Sequence, residues 1–229
     1  MKKFFLSTLT ILLFSLVAQA QDYRQSRYYD SETGRLKYYK PARSNRLGVE
    51  GLYCGLRLGA AFSTVGSDDK ALDGGDSQAG LTFGVIFGMQ LSNDTPVILE
   101  SGLLYAEKGG KNTYDGKKMT YDLNYLEMPI VLKYAIGINE HFSVQPLLGG
   151  YFAYGISGKV KNFGDRESSK SFSKHYFKRF DGGLRLGCGV AYDLLYADFT
   201  YDIGLANISH DEFDAARNHC WSINIGVNF

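Results

Sequence analysis

Apolar residues alternate with small or polar ones, with a period of two, in eight separate stretches of this chain. The clearest sets Leu81, Phe83, Val85, Phe87, Met89 and Leu91 against Gly80, Thr82, Gly84, Ile86, Gly88 and Gln90. Successive side chains of a strand point to opposite faces, so each stretch spells one oily face and one small or polar face. The pattern predicts strands at about 51–63, 79–91, 97–108, 121–136, 141–156, 177–192, 195–207 and 220–229.

Parity then sorts the side chains. Leu52, Cys54, Leu56, Leu58 and Phe62 share the oily face of the first strand, as do Leu126, Met128, Ile130, Leu132 and Tyr134 on the fourth and Trp221, Ile223, Ile225, Val227 and Phe229 on the last. The opposite face collects Arg57, Glu100, Lys108, Glu127, Lys133, Asp181, Arg185, Asp198 and Asp202, with Gln90 and Asn224. From Tyr121 to Tyr125 the apolar parity is reversed, which predicts a bulge or bend near residue 125. Pro129 and Pro146 fall within strands, remove a ladder donor each, and predict further bulges.

Alternation alone permits either polarity. With the oily face inward, the chain would be a soluble periplasmic, calycin-like carrier of an apolar ligand. Two features turn the oily face outward instead. Lys2 and Lys3, the apolar run Phe4 to Val17 and Ala18-Gln19-Ala20 form a signal peptide over 1–20, so the mature chain is expected to begin at Gln21. Connections between predicted strands alternate long (64–78, 109–120, 157–176, 208–219) and short (92–96, 137–140, 193–194). Short periplasmic turns, long external loops and an even strand number mark barrels of the Gram-negative outer membrane. The expected fold is therefore all-β: an eight-stranded antiparallel up-and-down transmembrane β-barrel over 51–229, with both termini periplasmic. Residues 21–50 are expected to be a flexible basic periplasmic extension, with Arg24, Arg27, Arg35, Lys37, Lys40, Arg43 and Arg46 against Asp22, Asp30 and Glu32, and two Tyr pairs.

Composition agrees with a barrel: 14% aromatic residues and 27 Gly against four Pro suit strands better than helices. Loss of residues 1–20 removes two Lys and no acid, turning the formal charge from +1 to −1, so there is no basic bias toward nucleic acid. Cys54, Cys188 and Cys220 are an odd set without metal spacing; Cys54 and Cys188 are expected outward, Cys220 inward or near the rim.

Eight strands enclose a lumen just wide enough for side chains to fill. Charges buried there must pair. Arg57, Glu100, Glu127, Lys133, Asp181, Arg185, Asp198 and Asp202 are therefore expected to form an interior charge network that plugs the barrel. A narrow ion path along the same charges is the alternative. Asp198 and Asp202 lie about 13 Å apart along one strand face, too far to share a proton. A rim-active enzyme on lipid could draw on His175, His210 and His219 with Ser168, Ser169, Ser171, Ser173, Asp211, Glu212 and Asp214, but no spacing sets a nucleophile beside a base. His141 lies at the periplasmic end. The last-loop His and acids fit no metal motif, and Gly74-Gly75 and Gly109-Gly110 precede no helix. The expectation is a non-enzymatic, monomeric barrel without cofactor or metal. Its partners would be outer-membrane lipid and lipopolysaccharide, met by Lys159, Lys161, Arg166, Lys170 and Lys174.

Leu123-Asn124-Tyr125-Leu126-Glu127-Met128-Pro129-Ile130-Val131-Leu132-Lys133-Tyr134 resembles the fourth-strand signature of PorT-like outer-membrane β-barrel proteins. Gly55-Leu56-Arg57-Leu58-Gly59, Gly149-Gly150-Tyr151-Phe152 and Gly183-Leu184-Arg185-Leu186-Gly187 resemble that family's Gly-spaced strands, and the likeness extends over 51–229. The resemblance implies the barrel. The family's founding type is implicated in protein secretion, though no motif here picks that role out; the expected role is envelope-structural, adhesive, or accessory to a transport or secretion assembly, with a periplasmic or secretion-complex protein as a candidate partner. The basic leader is not part of the pattern.

Overall fold

The computed structural model describes residues 52–67, 74–91, 96–114, 117–138, 141–162, 169–172, 177–209 and 215–229. The signal peptide, the basic leader, and Ser168, Ser173, His175, His210, Asp211, Glu212 and Asp214 lie outside these residues.

Alternation builds eight long strands: β1 (Leu52–Ser67), β2 (Gly74–Gln90), β3 (Val97–Tyr114), β4 (Lys117–Tyr134), β5 (Phe142–Ser157), β6 (Phe180–Tyr192), β7 (Leu195–Gly204) and β8 (Ala216–Asn228). Each pairs antiparallel with its sequence neighbours, and β8 pairs with β1 to close the ring. Closure leaves no long sheet edge at membrane depth, the condition for strands to cross a bilayer. Three short segments add to the ring: Ile136–Gly137 on β5, Lys159–Asn162 beside β4, and Ser169–Lys170 beside Lys159–Asn162.

The predicted outward faces are the exposed ones. On β2, Leu81, Phe83, Val85, Phe87, Met89 and Leu91 are all exposed, while Thr82, Ile86 and Gly88 between them are buried. That run spans ~33 Å along the strand, or roughly 25 Å along the barrel axis at a tilt of about 40°. Roughly 25 Å is the height of the lipid-facing band of such barrels. Val227 departs from the pattern: it is outward by parity yet buried.

Three expectations need correction. The 109–120 connection is not a long loop, since β3 and β4 pair as far as Tyr114 and Lys117 and project as a hairpin. Neither proline makes a bulge. Pairing of β4 with β5 runs in constant register through Pro129, and pairing of β5 with β6 does so through Pro146; what each proline costs is a gap on its other side. Near residue 125 there is a register shift, between Asn124 and Tyr125 opposite Ser157 and Gly155, but the extra residue belongs to β5. The inward set of β4 therefore runs unbroken through Tyr121, Leu123, Tyr125, Glu127, Pro129, Val131 and Lys133, all buried.

At the end that holds the termini, Tyr192 and Leu195 close a two-residue turn over Asp193, whose φ of 51° is the left-handed region that Asp tolerates.

Candidate functional site

Among the described residues the lumen is where chemistry-bearing side chains converge, and strand parity puts them there. Toward the middle, Lys108 of β3, Glu127 of β4, Arg185 of β6 and Asp202 of β7 form a closed square. Lys108 Nζ lies 2.6 Å from Glu127 Oε2 and 3.0 Å from Asp202 Oδ2. Arg185 donates to both oxygens of Asp202, at 2.6 Å from Nε and 2.8 Å from Nη2, and also pairs with Glu127. Two cations and two carboxylates thus alternate, each touching both opposite charges, so the square is neutral. Such mutual pairing is what makes charge burial tolerable. The Tyr151 ring lies 4.3 Å from Lys108 Nζ and adds a cation–π contact.

Closer to the termini a second group forms around Glu100 of β3. Lys133 Nζ reaches Glu100 Oε1 at 2.7 Å, and Arg57 Nη2 reaches Oε2 at 3.5 Å. The Tyr53 hydroxyl donates to Glu100 at 2.5 Å, and Lys133 donates to the Tyr196 hydroxyl at 2.7 Å. Arg57 and Lys133 also lie 4.0 and 4.1 Å from the Tyr196 ring centroid. Tyr53 and Tyr196 form a floor because Gly88 and Gly189 leave room for their rings; a Cβ at either position would collide with the ring.

Two expected members stand apart. Asp198 makes no ion pair among the described residues; its oxygen accepts from Asn224 Nδ2 at 2.7 Å. Asp181 is fully buried and is held by neutral donors: the Gly182 N–H at 2.7 Å, Asn218 Nδ2 at 2.8 Å and the Tyr151 hydroxyl at 3.5 Å. The eight expected residues therefore make two ion-paired groups and two separate carboxylates rather than one network. A cavity of about 30 Å³ lies among Arg57, Glu100, Arg185, Asp198, Thr200 and Asn224, room for roughly one water.

Sequence reasoning missed what closes the opposite end. There Val65, Tyr121, Leu123, Tyr125, Val160, Phe177, Ile208 and Ala216 pack into a buried apolar cluster with Tyr151 and Ala153, and Phe172 lies against it. Backbone bonds draw the connections inward to form this stopper. Ser171 N–H donates to Gly158 O, Phe177 N–H to Ser171 O, Lys178 N–H to Ile208 O, and Ile208 N–H to Ala216 O. Ser171 is buried and donates to Asp122 O at 2.7 Å, a structural bond rather than the setting of a nucleophile. The signal was available in the reversed apolar parity of Tyr121, Leu123 and Tyr125.

His219 is not in a loop. It sits within β8 on the outward side, its ring stacked 6.3 Å from that of Tyr201. His141 meets Asp193 Oδ1 at 2.9 Å, at the end that holds the termini. Cys54 and Cys188 face outward and Cys220 is buried; all three are free thiols. Among the described residues no group of His, Cys, Asp and Glu is arranged to hold a metal. With charges inside and an oily exterior, the membrane-depth part of the ring has the reverse of a carrier's polarity.

Residues 19–210 match the family model described as outer membrane protein beta-barrel domain, and the chain belongs to that family. No curated protein matches the sequence. Similar solved structures include the attachment invasion locus protein Ail of Yersinia pestis, with 18% identity, 79% of this chain and 100% of that chain covered, and a TM-score of 0.37. Neisserial surface protein A is 16% identical over 78% of this chain and 97% of that one, with a TM-score of 0.42. A major outer membrane protein from Thermus thermophilus is 13% identical over 77% of this chain and 99% of that one, with a TM-score of 0.44.

Proposed function

We propose that this member of the outer membrane protein beta-barrel domain family, PorT-like within it, is a sealed, non-enzymatic, monomeric barrel. It acts through its outer surfaces, as an envelope-structural or adhesive protein or as an accessory to a transport or secretion assembly. One observation carries the reading: among the described residues a tyrosine floor, two ion-paired groups and an apolar stopper follow one another along the lumen. Eight strands leave no spare width for a water column once such side chains are in place. Planar-bilayer recording of the full mature chain tests it. Only baseline current is expected; large, steady single-channel steps would overturn the seal and favour the ion-path reading.

The same proposal sets the topology. Both termini of an even-stranded barrel share a side, and so do its short turns. The basic leader at 21–50 and the short turns then face the periplasm, where the leader would meet a protein partner, and the 157–176 connection faces outward toward lipopolysaccharide. With Cys54, Cys188 and Cys220 replaced, single cysteines at Ser169 and Ser31 report it in intact cells. Only the one at Ser169 is expected to react with an impermeant reagent; the reverse result would invert the model.

A further inference from the structure

Arg179 is an exposed cation at the edge of the lipid-facing band, with no carboxylate paired to it among the described residues. It immediately precedes β6, beside the exposed Phe180 and Tyr154. Its Nη1 donates to Gly155 O at 2.6 Å, and its backbone carbonyl accepts from the Gly155 N–H at 2.6 Å. The guanidinium carbon lies 5.6 Å from the Phe172 ring centroid and 5.9 Å from that of Tyr154. A guanidinium has five N–H donors, and the Gly155 carbonyl takes one. The remaining donors are held in a fixed plane, at the level where apolar side chains give way to polar ones.

We propose that Arg179 binds the phosphate of an anionic lipid headgroup in the leaflet at the stopper end of the barrel. This rests on the membrane-barrel reading above and names the residue that meets the lipid. Three physical points favour a lipid phosphate. A planar guanidinium matches phosphate geometry with two parallel bonds. The site continues the lipid-facing surface of Phe180 and Tyr154, so a headgroup reaches it while its acyl chains lie on that surface. The connection that leads into it carries Lys159, Lys161, Arg166, Lys170 and Lys174 against Asp165 and Glu167, an excess that attracts anions.

The test uses the full mature chain in phosphatidylcholine nanodiscs doped with bisphosphorylated lipid A or with its dephosphorylated form. The lipid retained per barrel is counted by native mass spectrometry. Wild type is expected to retain the phosphorylated form in excess. Arg179→Gln should cut that retention about tenfold, the loss of one charge-assisted contact, and leave the dephosphorylated form unchanged. Arg179→Lys, which keeps the charge but not the fork, should fall between, and it serves as the variant if the glutamine form does not fold. Arg217→Gln, at an exposed position on β8, should have little effect. Equal retention of both lipids by wild type, no change in Arg179→Gln, or an equal loss in Arg217→Gln would overturn the site. Failure of wild type to enter nanodiscs at all would instead overturn the membrane-barrel reading beneath it.

Discussion

Toward the middle the lumen is packed with Lys108, Glu127, Arg185 and Asp202; toward the stopper it is packed with Tyr121, Leu123, Phe177 and Ile208. Both fillings exclude water, by opposite chemistry, and β4 passes through both without changing which of its positions face inward. The difference lies outside the ring. Beside Glu127 and Lys133, the outward positions of β4 are the exposed, apolar Leu126, Met128, Ile130 and Leu132; beside Tyr121 and Leu123 they are the half-buried, polar Asp122 and Asn124. Where water surrounds the ring, burying apolar side chains inside it is favourable, as in any soluble core. Where lipid surrounds it, the outer face must be apolar, and polar groups are left to pair inside. The reversal of apolar parity at residue 125 thus marks the membrane boundary.

The largest expected effect is in the charge square. Arg185→Leu leaves Glu127 and Asp202 sharing only Lys108, and should cost about 3–5 kcal/mol of folding stability. Arg185→Leu with Asp202→Leu leaves Lys108 matched to Glu127 and should cost less than that single change. Chemical unfolding from vesicles measures both; additive losses would show that the square is not a unit.

In the stopper, Leu123→Ala removes a fully buried side chain and should cost about 2–5 kcal/mol by the same measurement. A cost near zero would mean that the apolar cluster is not packed as a core.

The boundary itself is tested by two substitutions on one outward face. Met128→Arg, facing lipid three residues inside the boundary, should cost about 1–3 kcal/mol, between the interface and midplane values. Asn124→Arg, four residues away on the same face, should change stability by no more than about 0.5 kcal/mol. Similar costs at the two positions would remove the boundary from residue 125.

The smallest expected effect is functional. Phe172→Ala with Phe177→Ala loosens the stopper but leaves the charge square and the Tyr53–Tyr196 floor, so planar-bilayer current should stay at baseline. Steady conductance in this variant would make the stopper the sole seal.

Much of this was legible in the chain because strand geometry is local. A period of two assigns each residue to a face whatever its distant partners, so the outward Phe83, Val85 and Phe87 and the inward Arg57, Glu127 and Arg185 could be read from residue order. Connection lengths added the even, closed topology. Parity does not tell which inward charges meet. Lys108, Glu127, Arg185 and Asp202 come from four strands, and their pairing depends on the stagger between strands and on side-chain reach across the lumen. The same non-local geometry left Asp198 and Asp181 without ion pairs among the described residues, laid Tyr53 and Tyr196 over glycines of other strands, and drew Phe172 and Phe177 into the mouth. The reversed parity of Tyr121, Leu123 and Tyr125 was visible as a pattern, but its meaning depended on the medium outside the ring at that height. Alternation along β4 could specify two faces; only the closed ring, with water around one part and lipid around the other, decided which chemistry each face required.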